Sequence, residues 1–268
     1  MTPAQDREPL PTCVNGLPHL PPEYHATLRA GLAAFGPDAP GEAALDAMAD
    51  HVRLLVAWNA AVNLSGIRDP GQIARLHVLD SLAALPLLRR AGVDDFVDLG
   101  SGGGFPGLPL AVAMPDARAL LVDSVAKKAR FLAAAAAVAG VADRVAVAGT
   151  RAETLAADPA HRGRWQAVVA RAVTDLAELA ELALPLVGEG GILVAWKRAP
   201  FDEELERARA ALPELGGALA AVDPASLPGL DDHVLVTIAK TGGTPPRYPR
   251  DPAARHRHPL GGPVRNRT

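Results

Sequence analysis

One stretch restricts the fold more than any other: Asp95–Met114, DFVDLGSGGGFPGLPLAVAM. An apolar run ends in Asp98-Leu99, four glycines (Gly100, Gly102, Gly103 and Gly104) crowd the next five positions, and Pro106 opens a helix. Glycines there permit positive φ and let a ligand reach the backbone without meeting a Cβ. The helix that follows offers unpaired N–H groups and the positive end of its dipole. Strand, glycine turn and helix in that order place a ligand at the carboxyl edge of a parallel sheet.

The chain on either side fits such a sheet. Short apolar runs at Phe96–Leu99, Ala119–Val122, Val145–Val147, Ala167–Val169 and Gly191–Trp196 alternate with helical stretches at Pro106–Met114, Val125–Ala139, Asp175–Leu184 and Phe201–Leu212. The alternation predicts right-handed βαβ units and a mostly parallel sheet covered on both faces. Ala218–Val222 and His233–Ala239 have no helix between them and are expected as a terminal antiparallel pair. The fold class is therefore α/β, with one domain over residues 94–240. Ahead of it, Glu23–Phe35 and Glu42–Val62 carry apolar residues at helical spacing. Asp69-Pro70 joins a capping carboxylate to a Pro at the first helical position, and opens a helix towards Arg90. Residues 23–93 are predicted as a helical cap. Residues 1–22, with six prolines, read as a disordered leader, and residues 241–268 as a basic, Pro-rich tail.

Composition narrows the class. The single cysteine, Cys13, excludes an internal disulfide framework and suits a reducing compartment. No basic start followed by an apolar run marks a secretory signal. The longest uncharged stretch, Leu99–Pro115, is rich in Gly and Pro and too short to span a bilayer comfortably. A soluble cytoplasmic protein is expected. The net charge of −3 hides an asymmetry, because six arginines face one aspartate from Thr241 onward. Such a tail is either a solvated appendage or a grip on phosphates.

The ligand is harder to read. Gly102, Gly104 and Gly107 formally match G-x-G-x-x-G, which keeps a dinucleotide-dependent oxidoreductase in play. That register starts several residues past the strand, however, and the register from Gly100 has Phe105 at its third glycine position. An acid at the strand end, Asp98, ahead of a glycine turn is instead the pattern of S-adenosylmethionine enzymes. Asp123, 23 residues beyond Gly100, ends the second strand. A carboxylate there can accept both ribose hydroxyls of an adenosine, or cap the helix that follows. Ser101 lacks the G-x-S-x-G spacing of a nucleophile elbow, and no H-x-x-x-H pair suggests a metal.

Ordered blocks make a resemblance specific. They are Trp58-Asn59, Asn63-Leu64 and Ile67-Arg68-Asp69-Pro70; His77-Val78-Leu79-Asp80-Ser81; the turn from Asp98 to Gly107; Asp123-Ser124 with Lys127-Lys128 and Arg130-Phe131-Leu132; Arg151-Ala152-Glu153; Arg171-Ala172; and Trp196-Lys197. In these the chain resembles the family of ribosomal RNA small-subunit methyltransferase G, also called glucose-inhibited division protein B. The resemblance implies a seven-stranded Rossmann-like class I methyltransferase with an antiparallel last strand and an N-terminal helical extension. It implies methylation of N7 of one guanine in 16S rRNA, with S-adenosylmethionine as the cofactor. The cofactor residues would be Gly100, Gly102, Gly104, Phe105, Asp123, Ala152, Glu153 and Arg171. Arg171, Lys197, Arg68 and His77 would serve the acceptor side, although His77 and Asp80 could equally brace the cap. The partner would be 16S rRNA or a small ribosomal subunit particle, met by a monomer and without a membrane. Departures from the family pattern fall at Leu76, Arg198 and His256-Arg257-His258, where RNA contacts are in question.

Guanine N7 carries an in-plane lone pair and no proton, so its methylation needs alignment rather than a general base. No catalytic acid or base is therefore assigned. Phe105, Trp165 and Trp196 are the aromatic candidates for stacking on a base, while Trp58 reads as core. A non-catalytic ribosome-assembly factor that kept the fold is the alternative.

Overall fold

A computed structural model describes residues 10–262. The cap begins with α1 (Pro22–Leu32) and α2 (Glu42–Val62). Asn63 ends α2 in the left-handed region, at φ 52°, and its N–H donates to the Asn59 carbonyl. As its sequence predicts, Asp69 caps α3 (Pro70–Ile73) by accepting the Gln72 N–H at 2.8 Å. The helix expected to run on to Arg90 is interrupted. It passes through a π-helical stretch at Ala74–Leu79 into α4 (Asp80–Leu82), breaks, and resumes as α5 (Leu85–Arg90). Pro86 explains the break, since it has no N–H to offer the carbonyl four residues back.

The domain then alternates as predicted, with one short helix, α8, added where none was expected: β1 (Asp95–Leu99), α6 (Gly107–Ala113), β2 (Arg118–Val122), α7 (Ala126–Val138), β3 (Val145–Ala148), α8 (Ala152–Ala157), β4 (Trp165–Arg171), α9 (Leu176–Ala183), β5 (Val187–Arg198), α10 (Asp202–Ala211), β6 (Gly217–Pro224) and β7 (His233–Lys240). The seven strands lie in the order β3-β2-β1-β4-β5-β7-β6. β7 runs antiparallel to both of its neighbours, and the other pairings are parallel. Strand order reverses between β1 and β4, so the turns after these two strands open a crevice at the carboxyl edge.

Alternation along β1 divides the core. Phe96 belongs to the cluster shared with the cap residues Leu28, Met48 and Leu55, and Val97 to the one beneath α9 and α10. The cap is thus the covering layer of one sheet face, not an appended module.

Both terminal segments differ from expectation. The chain from Leu10 to Pro21 is not a loose leader. Trp58 Nε1–H donates to the Pro11 carbonyl at 2.7 Å, and the Arg53 guanidinium donates to the carbonyls of Val14, Leu17 and Pro18. A proline-rich segment cannot pair its own backbone regularly, but its carbonyls remain free to satisfy donors projecting from α2. The basic tail is likewise docked as far as Gly262, through a short helix, α11 (Pro252–Arg257). Arg250 forks onto Glu181, Arg255 onto Glu153 and Glu178, and Arg247 meets Glu214. Arg162 holds the same segment through the carbonyls of Thr244, Pro245 and Tyr248. Arg265, Arg267 and the first nine residues lie outside the described residues.

Glu181 is 1% exposed, so its charge depends on Arg250. Removing one partner of a buried pair costs about 3–5 kcal/mol. Truncation of residues 244–268 is therefore expected to lower the melting temperature by roughly 10 °C. Scanning calorimetry checks this; an unchanged melting temperature would make the docked segment dispensable.

Candidate active site

The glycine turn is held from below by side chains of its own domain. The Asp98 carboxylate accepts the Gly107 N–H, the first free N–H of α6, at 2.9 Å. Asp123 accepts the Gly102 N–H at 3.0 Å and the Val125 N–H at 2.8 Å. Ser101 Oγ donates to the Asp98 carbonyl and accepts the Val122 N–H. One support comes from the cap. His51 Nε2–H donates to the Gly103 carbonyl at 2.8 Å.

The glycines divide by what a Cβ would meet. At Gly107 it would lie 2.5 Å from both Asp98 and Leu121, so this glycine admits α6 close to the sheet. At Gly104 it would meet Leu108 and His51, and at Gly100 Val173. At Gly102, with φ 53°, the nearest atom is the Gly100 carbonyl oxygen, 3.8 Å away. Within the turn, only here would a Cβ meet nothing tighter than ordinary van der Waals contact. Gly104, expected in the cofactor site, packs against Leu108 and His51 and lines neither cavity of the cleft.

Two cavities adjoin across the turn, sharing Gly100, Lys128 and Ala172. The smaller, about 280 Å³, holds Asp123, Ala152 and the apolar side chains of Val125 and Val173. Val125 and Val173 are two of the four large apolar side chains left exposed among the described residues, and here they wall one pocket. The larger, about 580 Å³, is lined by Gly102, Phe105, His77, Arg171, Trp196 and Lys197, with Arg198 and His233. Glu153 lines neither; its carboxylate is taken by Arg255 at 2.5 Å. Arg68 is exposed on the loop before α3 and also lines neither.

The cap closes the larger cavity through buried polar bonds. Asp80, 2% exposed, accepts Arg171 Nη1 at 2.6 Å on one oxygen and His233 Nδ1 at 2.7 Å on the other. Its carbonyl accepts the Trp196 Nε1–H at 2.7 Å. His77 stacks on Phe105 at 4.7 Å between centroids, and the Arg171 guanidinium lies 5.5 Å from the same ring. Because Arg171 can only donate, His77 Nδ1 must accept from it at 3.4 Å, which leaves Nε2–H to donate to Ser65 Oγ at 2.6 Å. Asn59 fixes Ser65 by accepting the N–H groups of Leu64 and Ser65. Ser65 and His51 were silent in the sequence, where a serine near a helix end and a lone histidine on an apolar face carry no signal of their own.

Several expected roles change in this light. Phe105 is 6% exposed and faced by His51, His77 and Arg171, so its ring is not free to stack on a base. Trp165 stands at the far end of β4 against His161. Trp196 lines the cavity. Lys197 Nζ donates to Glu204 and, at 2.8 Å, to the Thr174 carbonyl. Arg171 and Lys197 are thus internally paired, with Asp80 and Glu204.

Burial pushes the Asp98 carboxyl up to about 7, the Gly107 N–H offsetting this only in part. Burial also lowers His51 and His77 to about 4, Arg171 assisting at His77. For Asp98 the folded state binds the proton more tightly, so the group removes stability as pH rises from about 4 to 7. The histidines act oppositely, adding stability as pH rises from about 4 to 6.5. Asp98→Asn should therefore gain on the wild type by about 1.4 kcal/mol per pH unit across the Asp98 window. Denaturant titrations from pH 4.5 to 7 check the slope; a pH-independent difference between the two proteins would show that Asp98 is not held protonated.

The model of the rRNA small subunit methyltransferase G family matches residues 44–225. The chain is 44% identical over 196 residues to the ribosomal RNA small subunit methyltransferase G of Roseiflexus castenholzii, covering 73% of this chain and 83% of that one. The protein of the same name from Deinococcus deserti is 42% identical over 241 residues, covering 89% and 97%. Among solved structures, the O-methyltransferase TomG from Streptomyces achromogenes, in complex with SAM, superposes with a TM-score of 0.53 at 18% identity, covering 78% and 94%. An O-methyltransferase from Bacillus cereus in complex with SAH gives 0.50 at 15%, covering 81% and 100%. These last two show the fold, that of class I S-adenosylmethionine-dependent methyltransferases. With its helical cap, its glycine turn at the reversal of strand order and this extent of identity, the chain belongs to the rRNA small subunit methyltransferase G family.

Proposed function

We propose that the chain methylates N7 of a guanine in 16S rRNA with S-adenosylmethionine, the adenosine in the smaller cavity and the acceptor guanine in the larger. The observation that carries this is the pair of cavities adjoining across the glycine turn, where the Cβ direction of Gly102 is uncrowded and its N–H is held by Asp123. Each Asp123 oxygen already accepts one backbone N–H and keeps lone-pair capacity for a ribose hydroxyl. Val125 and Val173 offer apolar walls to a flat ring, and Ala152 closes the pocket. These residues fit the cofactor. When bound, it supplies an electrophilic methyl group on a sulfonium.

The protein's own share is alignment and exclusion of water. N7 has no proton to lose, so no side chain need accept one. The reaction moves a positive charge from sulfur to the base without changing the total, which suits a site whose cations are already neutralised by Asp80 and Glu204. Trp196 supplies the apolar surface of the acceptor side. With Arg171 and Lys197 paired internally, contact with RNA phosphates falls to Arg198 and Lys128 at the cavity rim, and to Arg68 on its exposed loop. The substrate is free 16S rRNA or a small-subunit particle, met in the cytoplasm by a monomer. No helix among the described residues is long and apolar enough to cross a membrane.

Two experiments test this reading. Mass mapping of 16S rRNA from a deletion strain should show one guanine lacking its N7 methyl group, restored by the wild-type gene. Intact methylation would reduce the protein to an RNA-binding assembly factor. The second compares Gly102→Val with Gly104→Ala. A branched side chain at φ 53° costs about 1–3 kcal/mol in strain, but its Cβ meets no protein atom closer than 3.8 Å. Gly102→Val should therefore lose most affinity for S-adenosylmethionine in calorimetry with a modest thermal shift. Gly104→Ala, which collides with Leu108 and His51, should mainly lower the melting temperature. The reverse pattern would move the cofactor away from Gly102.

A further inference from the structure

The docked C-terminal segment touches the cleft indirectly, through one side chain. Arg255 is 8% exposed and directs all three guanidinium nitrogens at acceptors. Nη2 donates to Glu153 Oε1 at 2.5 Å, Nε to Glu178 Oε1 at 2.9 Å, and Nη1 to the Arg250 carbonyl at 2.5 Å. Glu153 lies in the first turn of α8, next to Ala152 in the wall of the smaller cavity. Glu178 lies in the first turn of α9, and its second oxygen accepts the Thr174 hydroxyl at 2.5 Å. The Thr174 carbonyl in turn accepts Lys197 Nζ at 2.8 Å. Burial would raise the Glu178 carboxyl, but the Thr174 hydroxyl and the Arg255 guanidinium prevail and hold it below its ordinary value.

The turn held in this way is strained. Ala172 has φ 56°, in the left-handed region, and it lines both cavities. A non-glycine residue stays there only where its surroundings over-determine it. On one side of Ala172, Arg171 is anchored to Asp80. On the other, Thr174 is anchored through Glu178 to Arg255. The first turn of α8 is tied to the same guanidinium, and a six-residue helix has little stability of its own.

We propose that Arg255 is a positioning residue for methyl transfer: from the C-terminal segment it sets the spacing between the Ala152–Glu153 wall and the Ala172–Thr174 turn, the two sides between which the cofactor lies. The inference rests on the cleft reading given above. Planarity is what the task demands, since a guanidinium presents separate N–H groups in fixed directions to two carboxylates, and an ammonium does not. The segment's role is therefore cofactor placement, not a grip on RNA.

The test uses the full chain with Arg255→Lys, Glu178→Gln, Ala172→Gly and the Arg255→Lys, Ala172→Gly double variant. S-adenosylmethionine affinity is measured by calorimetry well below the melting temperature, and kcat and KM on small-subunit particles. Arg255→Lys should weaken S-adenosylmethionine binding about tenfold and lower kcat, with KM for the particle little changed. Glu178 lines neither cavity, and Glu178→Gln should shift both quantities the same way by less. Glycine adopts the left-handed turn without strain, so Arg255→Lys should cost clearly less in the Ala172→Gly background than in the wild type. A lower melting temperature with unchanged affinity would make Arg255 merely structural and overturn the proposal. A raised KM for the particle with unchanged S-adenosylmethionine affinity would make the segment an RNA contact and overturn it equally. Failure of the wild type to bind S-adenosylmethionine would instead overturn the reading of the cleft.

Discussion

The buried pair between Asp80 and Arg171 is the bond on which the cleft depends. Asp80 comes from the cap and Arg171 from the end of β4, and their side chains are 3% and 14% exposed. A buried pair gains little net stability, but a lone buried charge is expensive. Asp80 avoids that cost by accepting His233 on its other oxygen, so one carboxylate joins the cap to β4 and β7, and its carbonyl adds Trp196 on β5. The ion pair fixes one register of the cap on the sheet. In that register His77 covers Phe105 and His51 reaches Gly103, and the turn acquires its shape from both layers.

That dependence explains why the turn holds so many glycines. Gly107 and Gly104 are required where α6 and the cap press in, whereas Gly102 is uncrowded and takes a positive φ of 53°. The polar supports follow the same division: Asp98 and Ser101 are buried under the turn, and Asp123 stands at its edge with acceptor capacity left over. His51 retains an unpartnered Nδ1 in the interior, a cost of about 1–3 kcal/mol that an apolar residue would avoid. Its retention is intelligible as the cap's hold on the Gly103 carbonyl.

What the sequence discloses is whatever depends on periodicity and local chemistry. α2 runs over the predicted residues, Asp69 caps α3, and the seven strands stand within a few residues of the apolar runs. What it hides depends on partners far along the chain. A basic, Pro-rich segment has the composition of a free tail, and nothing near it reveals that Glu153, Glu178 and Glu181 wait on two helices for Arg250 and Arg255. The same blindness hides that Glu153 turns to Arg255 and that Gly104 faces Leu108 and His51, because a motif gives an order of residues without saying which way each one faces. Residues 10–21 conceal their docking for a related reason. Prolines announce the absence of regular structure, but their carbonyls still accept bonds from Arg53 and Trp58.

The charge distribution can now be read by location instead of by total. Of the four described arginines beyond residue 240, Arg247, Arg250 and Arg255 each face a carboxylate, and so contribute little field towards a polyanion. Arg171 and Lys197, deep in the cleft, are neutralised too. The basic side chains of Arg198 and Lys128 line the larger cavity. A protein of net charge −3 whose deep-cleft and C-terminal cations are paired with carboxylates draws little from a general attraction to nucleic acid, since binding strength follows the number of phosphates neutralised. For such a protein, selectivity for an RNA rests more on the shape the RNA presents than on charge.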